Sequence, residues 1–372
     1  MNKLNKYAFS DLYDIASGIS TTKTQAGHGT PFVSFSTVFN NIFLPDELPD
    51  LMDTSEQEQE TYSIRKGDIL ITRTSETVDE LAMSCVALKD YPGATYSGFV
   101  KRLRPKTIGV AYDKFMAFFL RSKYFRKVIN NNTIMTLRAS FNEDMFSFLT
   151  LYLPDYDVQV AVGDLLYNIE CKIQNNKRIN DNLAQQAQLL FDFMFQDISG
   201  SKHIGDFIVP QRGTALLSKD AIPGDIPVVA GGLVPSTYHN AANTVAPVIT
   251  ISSSGANAGF VNLWGVPVWS SDSSFIDFKM TPYVYFWHAL LKRHQNNIYK
   301  IQTGSAQPHI YPSHIASLPV CDLDFGKVAD YTERVTPLFT LISKNYKESN
   351  QLRALRDWLL PMLMNGQATI SD

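Results

Sequence analysis

A chain of 372 residues with 45% apolar and 19% charged side chains holds material for two ordinary domains with full cores, which excludes a disordered or fibrous protein. The net charge of −3 argues against wholesale coating of nucleic acid, and no apolar run approaches the ~18 residues that a membrane helix needs. Three widely separated cysteines, Cys85, Cys171 and Cys321, and a start without the apolar core of a secretion signal fit a reducing cytoplasm.

Residues 1–157 read as an α+β block, with strand-like runs at 31–35, 68–72, 84–88 and 98–103 and a helical pattern over 113–129. Its charge is uneven: residues 46–60 carry seven acids and no base, whereas 101–138 carry ten basic residues against one acid, Asp113. The basic stretch is expected to face phosphates, with Arg73, Lys101, Arg102, Arg104 and Arg138 as candidates for phosphate or guanine contacts. The plain alternative is a solvated basic face offset by acids elsewhere.

Residues 158–198 change pattern. Val162, Leu166, Ile169, Ile173, Asn176, Asn180, Leu183, Ala187, Leu190 and Met194 alternate in steps of four and three, the narrow seam of a helix packed lengthwise on another. A shift of 169 residues reproduces the set in 326–372 as Tyr331, Val335, Leu338, Ile342, Asn345, Ser349, Leu352, Arg356, Leu359 and Leu363. Each half of the chain therefore ends in one long helix. Asn176 and Asn345 occupy equivalent seam positions, where a polar residue commonly sets register at a cost in stability. Pro337 is expected near the start of the second helix, and Pro361 is expected to kink or break its last turn and bend the end around Trp358 off the rod.

Between the two helices, residues 199–325 offer strands at 226–229, 247–252, 259–264, 266–269 and 275–278, then an aromatic helix at 282–292. The order repeats that of the first block. Pro31-Phe32-Val33 answers Pro227-Val228-Val229, Ile69-Leu70-Ile71-Thr72 answers Val248-Ile249-Thr250-Ile251, and Leu153-Pro154 answers Leu318-Pro319. Residues 278–321 carry Lys279, Lys292, Arg293, Lys300, four histidines and no acid. Arg212, Ser252, Ser253, Ser254, Lys279, Gln302, Gln307 and His309 are the candidate base or phosphate contacts here.

The sequence lacks a phosphate-binding glycine loop, a dinucleotide fingerprint and any Cys/His cluster with zinc spacing. Asp155, Glu170 and Lys172 imitate the carboxylate-and-lysine pattern of metal-dependent nucleases, but Glu170 and Lys172 fall beside seam residue Ile169, where an ordinary solvated helix face is expected.

Two modules and a matched helix pair, together with Gly67-Asp68-Ile69-Leu70, Thr303-Gly304-Ser305-Ala306-Gln307 and Leu352-Arg353-Ala354-Leu355-Arg356-Asp357-Trp358-Leu359-Leu360-Pro361, resemble the specificity subunit of type I restriction-modification enzymes. The resemblance covers essentially the whole chain. It departs where Arg138-Ala139-Ser140-Phe141 stands against Ser305-Ala306-Gln307-Pro308. It implies an α+β fold of two target-recognition domains, 1–157 and 199–325, joined by long antiparallel coiled-coil helices over 158–198 and 326–372. It also implies a non-catalytic, cytoplasmic, prokaryotic subunit reading a bipartite double-stranded DNA site. Modification subunits, docking near Arg353, Arg356 and Trp358, would carry S-adenosylmethionine, and motor-nuclease subunits ATP; this chain would bind neither cofactor. The rival from another class is a protein-binding assembly scaffold.

Overall fold

Ile69–Thr72 and Val248–Ser252, the most apolar β-branched runs of the two halves, are buried along their whole length and form inner strands of two similar sheets. The computed structural model describes residues 4–75, 77, 80–132, 139–196, 200–304 and 307–364. The chain divides into Met1–Ile173 with Gln351–Asp372 (unit 1), and Gln174–Asn350 (unit 2).

In unit 1 the antiparallel sheet runs Tyr13–Ser17, Val100–Pro105, Ile69–Thr72, Ser84–Val86. A three-stranded sheet, Asp50–Met52, Ala26–Val33, Thr95–Tyr96, and the pair Leu4–Ala8 with Thr150–Pro154 complete it. Unit 2 repeats the plan: Gln211–Arg212, Ser273–Asp277, Val248–Ser252, Val261–Trp264, then Thr237–His239, Ile226–Val229, Trp269–Ser270, then Lys202–His203 with Pro319–Val320. Helices Asp113–Phe119 and Val284–Arg293 each bury aromatic rings in the main core of their own unit. This is the α+β class expected, with two similar domains joined by long antiparallel helices. Among the described residues no helix is long and apolar enough to cross a membrane.

Backbone hydrogen bonds give the register between the units. Ser97 N donates to Val33 O at 3.0 Å and Ser271 N to Val229 O at 2.8 Å, so Phe32-Val33 does correspond to Val228-Val229. The other two sequence matches need correcting. Arg73 N donates to Phe99 O and Ser253 N to Asp272 O, which aligns Ile69 with Ile249 and moves the match by one residue. A one-residue slip exchanges the faces of a strand; Ile69 and Ile71 share one core as Ile249 and Ile251 share the other, whereas Val248 belongs to a separate cluster. Likewise Phe9 N donates to Leu149 O and Ile204 N to Leu318 O, both at 2.9 Å, so Leu318-Pro319 answers Leu149-Thr150 and not Leu153-Pro154. Phe141 N binds Arg73 O as Ile310 N binds Ser253 O, so Ser140-Phe141 answers His309-Ile310. The shift of 169 found in the helices thus already holds at the ends of the globular blocks.

One glycine recurs for a steric reason. A Cβ on Gly18 would lie 2.4 Å from Tyr96 O, and one on Gly213 would lie 2.4 Å from Ser270 O. The next amide in each case, Ile19 N or Thr214 N, donates to that same carbonyl at 2.9 Å. Only glycine lets the strand approach so closely.

The long helices span Tyr156–Met194 and Phe325–Met364. Every one of the twenty seam positions is buried or half-buried, as a lengthwise stripe requires. Within unit 2 the helices run antiparallel: Asn176 Nδ2 donates to Ser349 Oγ at 3.3 Å and to Glu348 Oε2 at 2.8 Å, and Asn345 Nδ2 donates to Asn180 Oδ1 at 2.9 Å. Two expectations fail on the second helix. It starts at Phe325, which puts Pro337 in its interior, and it continues through Pro361 to Met364. Both prolines are exposed, as are Glu333 and Asp357, whose carbonyls lose their helical partners; water can satisfy them there, so neither proline ends the helix.

Candidate nucleic-acid interface

At the end of strand Val248–Ser252 in unit 2, three segments meet. Ser253 donates its amide to Asp272 O and accepts from Ile310 N, and Gly255 N donates to Pro308 O at 3.1 Å. Gly255, at φ +81°, supplies the left-handed turn. The carboxylate of Asp272 accepts from Arg212 Nη2 at 2.8 Å on one oxygen and from Ser254 Oγ on the other. Opposite the Ser253–Gly255 turn, His309 and Thr303 exchange both backbone hydrogen bonds, at 3.0 and 2.7 Å. Arg212, Ser254, Asp272, Thr303 and His309 thus form one polar, solvent-facing cluster with donors and acceptors held by backbone. Gln307 is exposed in the turn beside it. Such an arrangement suits hydrogen-bond reading of base edges.

The remaining candidates of unit 2 lie elsewhere. Ser252 and Ser253 have buried side chains. Gln302 Nε2 donates to Ala258 O at 2.7 Å and serves the fold. Lys279 is exposed but follows Asp277, at the far end of strand Ser273–Asp277, some ~13 Å along at 3.3 Å per residue.

In unit 1 the same place is occupied by different chemistry. Arg73 stands where unit 2 has Ser253, Phe99 where it has Asp272, and Ser140 where it has His309. Arg73 is exposed and Phe99 is 61% exposed. Strand pair Thr74–Ser75 with Ala139–Ser140 closes this end. Arg138 lies outside the described residues.

Three basic candidates of unit 1 must be corrected. Lys101 is 5% exposed, its Nζ donating to Ser17 Oγ at 2.9 Å and pairing with Glu143 at 3.3 Å. Arg102 donates to Ser63 O at 2.6 Å. Arg104 grips the fully buried Asp68 with Nε and Nη2, at 2.8 and 2.6 Å, and that hydrogen bonding raises its already high pKa. Asp68 follows Gly67, whose φ of +86° makes the turn into the strand, so the Gly67-Asp68 motif is structural. Most other cations of 101–138 are also engaged: Lys106 with Asp14, Lys114 with Asp164, and Arg121 with the carbonyls of Val38, Phe39, Asn41 and Ser84. Lys123 and Lys127 are exposed. Among the described residues, much of the charge of this stretch is thus used to tie loops and helix ends together within the unit.

Cross-strand register shows a further difference. Ser17 faces Lys101 in unit 1, and Arg212 faces Ser274 in unit 2. Both units place one cation and one serine in this pair, on opposite strands. The buried cation pairs with Glu143 and the exposed one with Asp272. Neither Asp272 nor Phe99 is evident in the sequence, where the first sits in a serine run and the second in an ordinary strand.

The nuclease-like triplet does not converge. Asp155 accepts from Asn5 Nδ2 just before the first long helix, and Glu170 lies fifteen residues along it, ~22 Å away by helical rise. Glu170 is also not on a solvated face: it is 8% exposed and bound to Arg356. Arg356 is thereby taken up inside the helix pair and unavailable to a partner, whereas Arg353 and Trp358 are on the exposed side, Trp358 at 61%. Among the described residues no group of His, Cys, Asp or Glu could hold a metal ion.

The model of the type I restriction modification DNA specificity domain matches residues 1–185. Over these residues, just under half of its length, the chain is similar to the type I restriction-modification specificity family. In sequence it is 26% identical over 170 residues to the specificity subunit of the type I restriction enzyme HindI from Haemophilus influenzae, a match covering 45% of this chain and 35% of that one. The matched part thus spans about a third of the relative. In fold it is similar to the S subunit of a type I restriction-modification system from M. genitalium, with a TM-score of 0.61, 16% identity and coverage of 100% and 97% of the two chains. Beside this likeness, the two units repeat one plan with different chemistry at equivalent loops.

Proposed function

We propose that this chain is a DNA-specificity subunit in which each unit reads one half of a bipartite double-stranded site. The observation that carries the reading is the end of the inner strand: one backbone scaffold presents Arg73 and Phe99 in unit 1 but Ser254, Asp272, Arg212 and His309 in unit 2. Identical scaffolds with different donors and acceptors suit two different short sequences. The helices, of 39 and 40 residues, would set the gap; at 1.5 Å per residue each is about 60 Å long, against ~34 Å for one turn of duplex. Phosphate contacts would hold register, and two linked readings would gain by effective concentration.

The chain itself would be non-catalytic and act in a prokaryotic cytoplasm. Methyl transfer with S-adenosylmethionine would belong to two modification subunits, and ATP-driven cleavage to motor-nuclease subunits. Trp358 stands 169 residues beyond Leu189, and both are 61% exposed; repeated apolar patches on the two helices suit two copies of one partner.

The test is co-expression with a candidate modification subunit and mapping of methylated adenines in the host genome. A bipartite motif with a fixed gap, present only with this chain, is the expected result. The internal engagement of the basic stretch favours a second reading, a protein-binding scaffold. Affinity for mixed-sequence duplex that is weak and insensitive to salt would support the scaffold, because DNA binding releases counterions and weakens steeply with salt.

A further inference from the structure

In unit 1 the two long helices share an ion pair: Arg356 Nη1 lies 2.7 Å from Glu170 Oε2, with side chains 19% and 10% exposed. The repeat of Glu170, 169 residues on, is Phe339, and Arg356 is itself the repeat of Ala187. The internal counterpart of the ion pair is therefore Phe339 with Ala187, both in the apolar core of unit 2. One end of the helix pair is charged where the other is greasy.

The rest of the seam has no such polarity. Asn176 meets Ser349, which is the repeat of Asn180; Asn345, the repeat of Asn176, meets Asn180. A second copy of the first helix, laid antiparallel on the first, would thus offer Asn180 to Asn176, Leu183 to Ile173, Leu190 to Leu166 and Met194 to Val162. All of these are acceptable seam neighbours. By the symmetry of such a pair the copy fails at two equivalent levels: each would set its Ala187 against the buried Glu170 of the other in place of Arg356. Two copies of the second helix would set Phe339 against Arg356. Burying a charge while removing its partner is strongly unfavourable.

We infer that Glu170 and Arg356 direct the first long helix to a second long helix of complementary charge and away from a like helix. The duplication makes like-with-like pairing geometrically available, and the ion pair is the element that breaks the equivalence. This inference does not depend on DNA reading.

The test uses full-length chains carrying two different tags. Glu170→Arg leaves two arginines at this level and Arg356→Glu leaves two carboxylates, so neither variant can form the pair within itself. Exchange of helices between the two variants restores it twice. Co-expression of E170R with R356E should give a mixed dimer in sedimentation and tag pull-down at least tenfold above that of either variant alone or of two wild-type chains. The double variant E170R/R356E should return to the wild-type assembly state. If either single variant is insoluble alone, recovery on co-expression counts as the same result. Absence of the mixed dimer while E170R/R356E folds, or mixed dimer formed equally by wild-type chains, would overturn the inference.

Discussion

At the scale of one residue, the proposed DNA reading is tested at Arg212, which pairs with Asp272 at the end of the inner strand. Arg212 is half of an exposed ion pair, 2.8 Å from Asp272, so its contribution to folding is small. Replacing it by alanine is expected to leave the thermal midpoint nearly unchanged. The same change is expected to weaken specific DNA binding by about 1–3 kcal/mol and to relax one half-site only, measured by binding to duplexes varied in each half-site separately. Gly213, its neighbour, behaves in the opposite way. With Ser270 O only 2.4 Å from where a Cβ would lie, Gly213→Ala should cost about 1–3 kcal/mol of stability, read from the denaturant midpoint. Of these two residues the sequence singles out Arg212 as a candidate and passes over Gly213, because the close carbonyl belongs to a strand almost sixty residues away.

The helix seam is the element most fully legible in the chain. Spacing in steps of three and four depends only on local geometry, and all twenty positions are withdrawn from solvent. The role of Asn176 follows from its partners. It is 1% exposed and donates to Ser349 and Glu348. Asn176→Leu alone should destabilise by about 1–3 kcal/mol by leaving those acceptors unsatisfied, whereas Asn176→Leu with Ser349→Leu should recover most of that. A double-mutant cycle on the thermal midpoints checks it; additive effects would show that the two residues are not coupled. The basic stretch 101–138 is the contrary case. Its composition is evident, but Arg102, Arg104 and Arg121 find their carbonyls or carboxylate through tertiary folding, as Arg121 does on the carbonyls ending helix Phe35–Asn40.

At the scale of the molecule, the prediction concerns spacing. Removing residues 176–182 together with 343–349 takes matched, facing segments from the antiparallel helices, about 10 Å at 1.5 Å per residue or roughly three base pairs. The expected outcome is a methylation motif with both half-sites unchanged and a gap shorter by about that number. An unchanged gap would show that the helices do not set the spacing.

What the sequence by itself determined is what repeats locally: two blocks with strands in one order, two long helices with one seam, and the shift of 169 that relates them. Tertiary structure alone decided the strand register between the units, one residue and four residues away from the sequence matches, and which charges remain at the surface. The reason is physical. Periodicity is written in neighbouring residues, whereas register and charge pairing depend on contacts such as Arg104 with Asp68, Arg212 with Asp272 and Arg356 with Glu170, whose partners lie 36 to 186 residues apart.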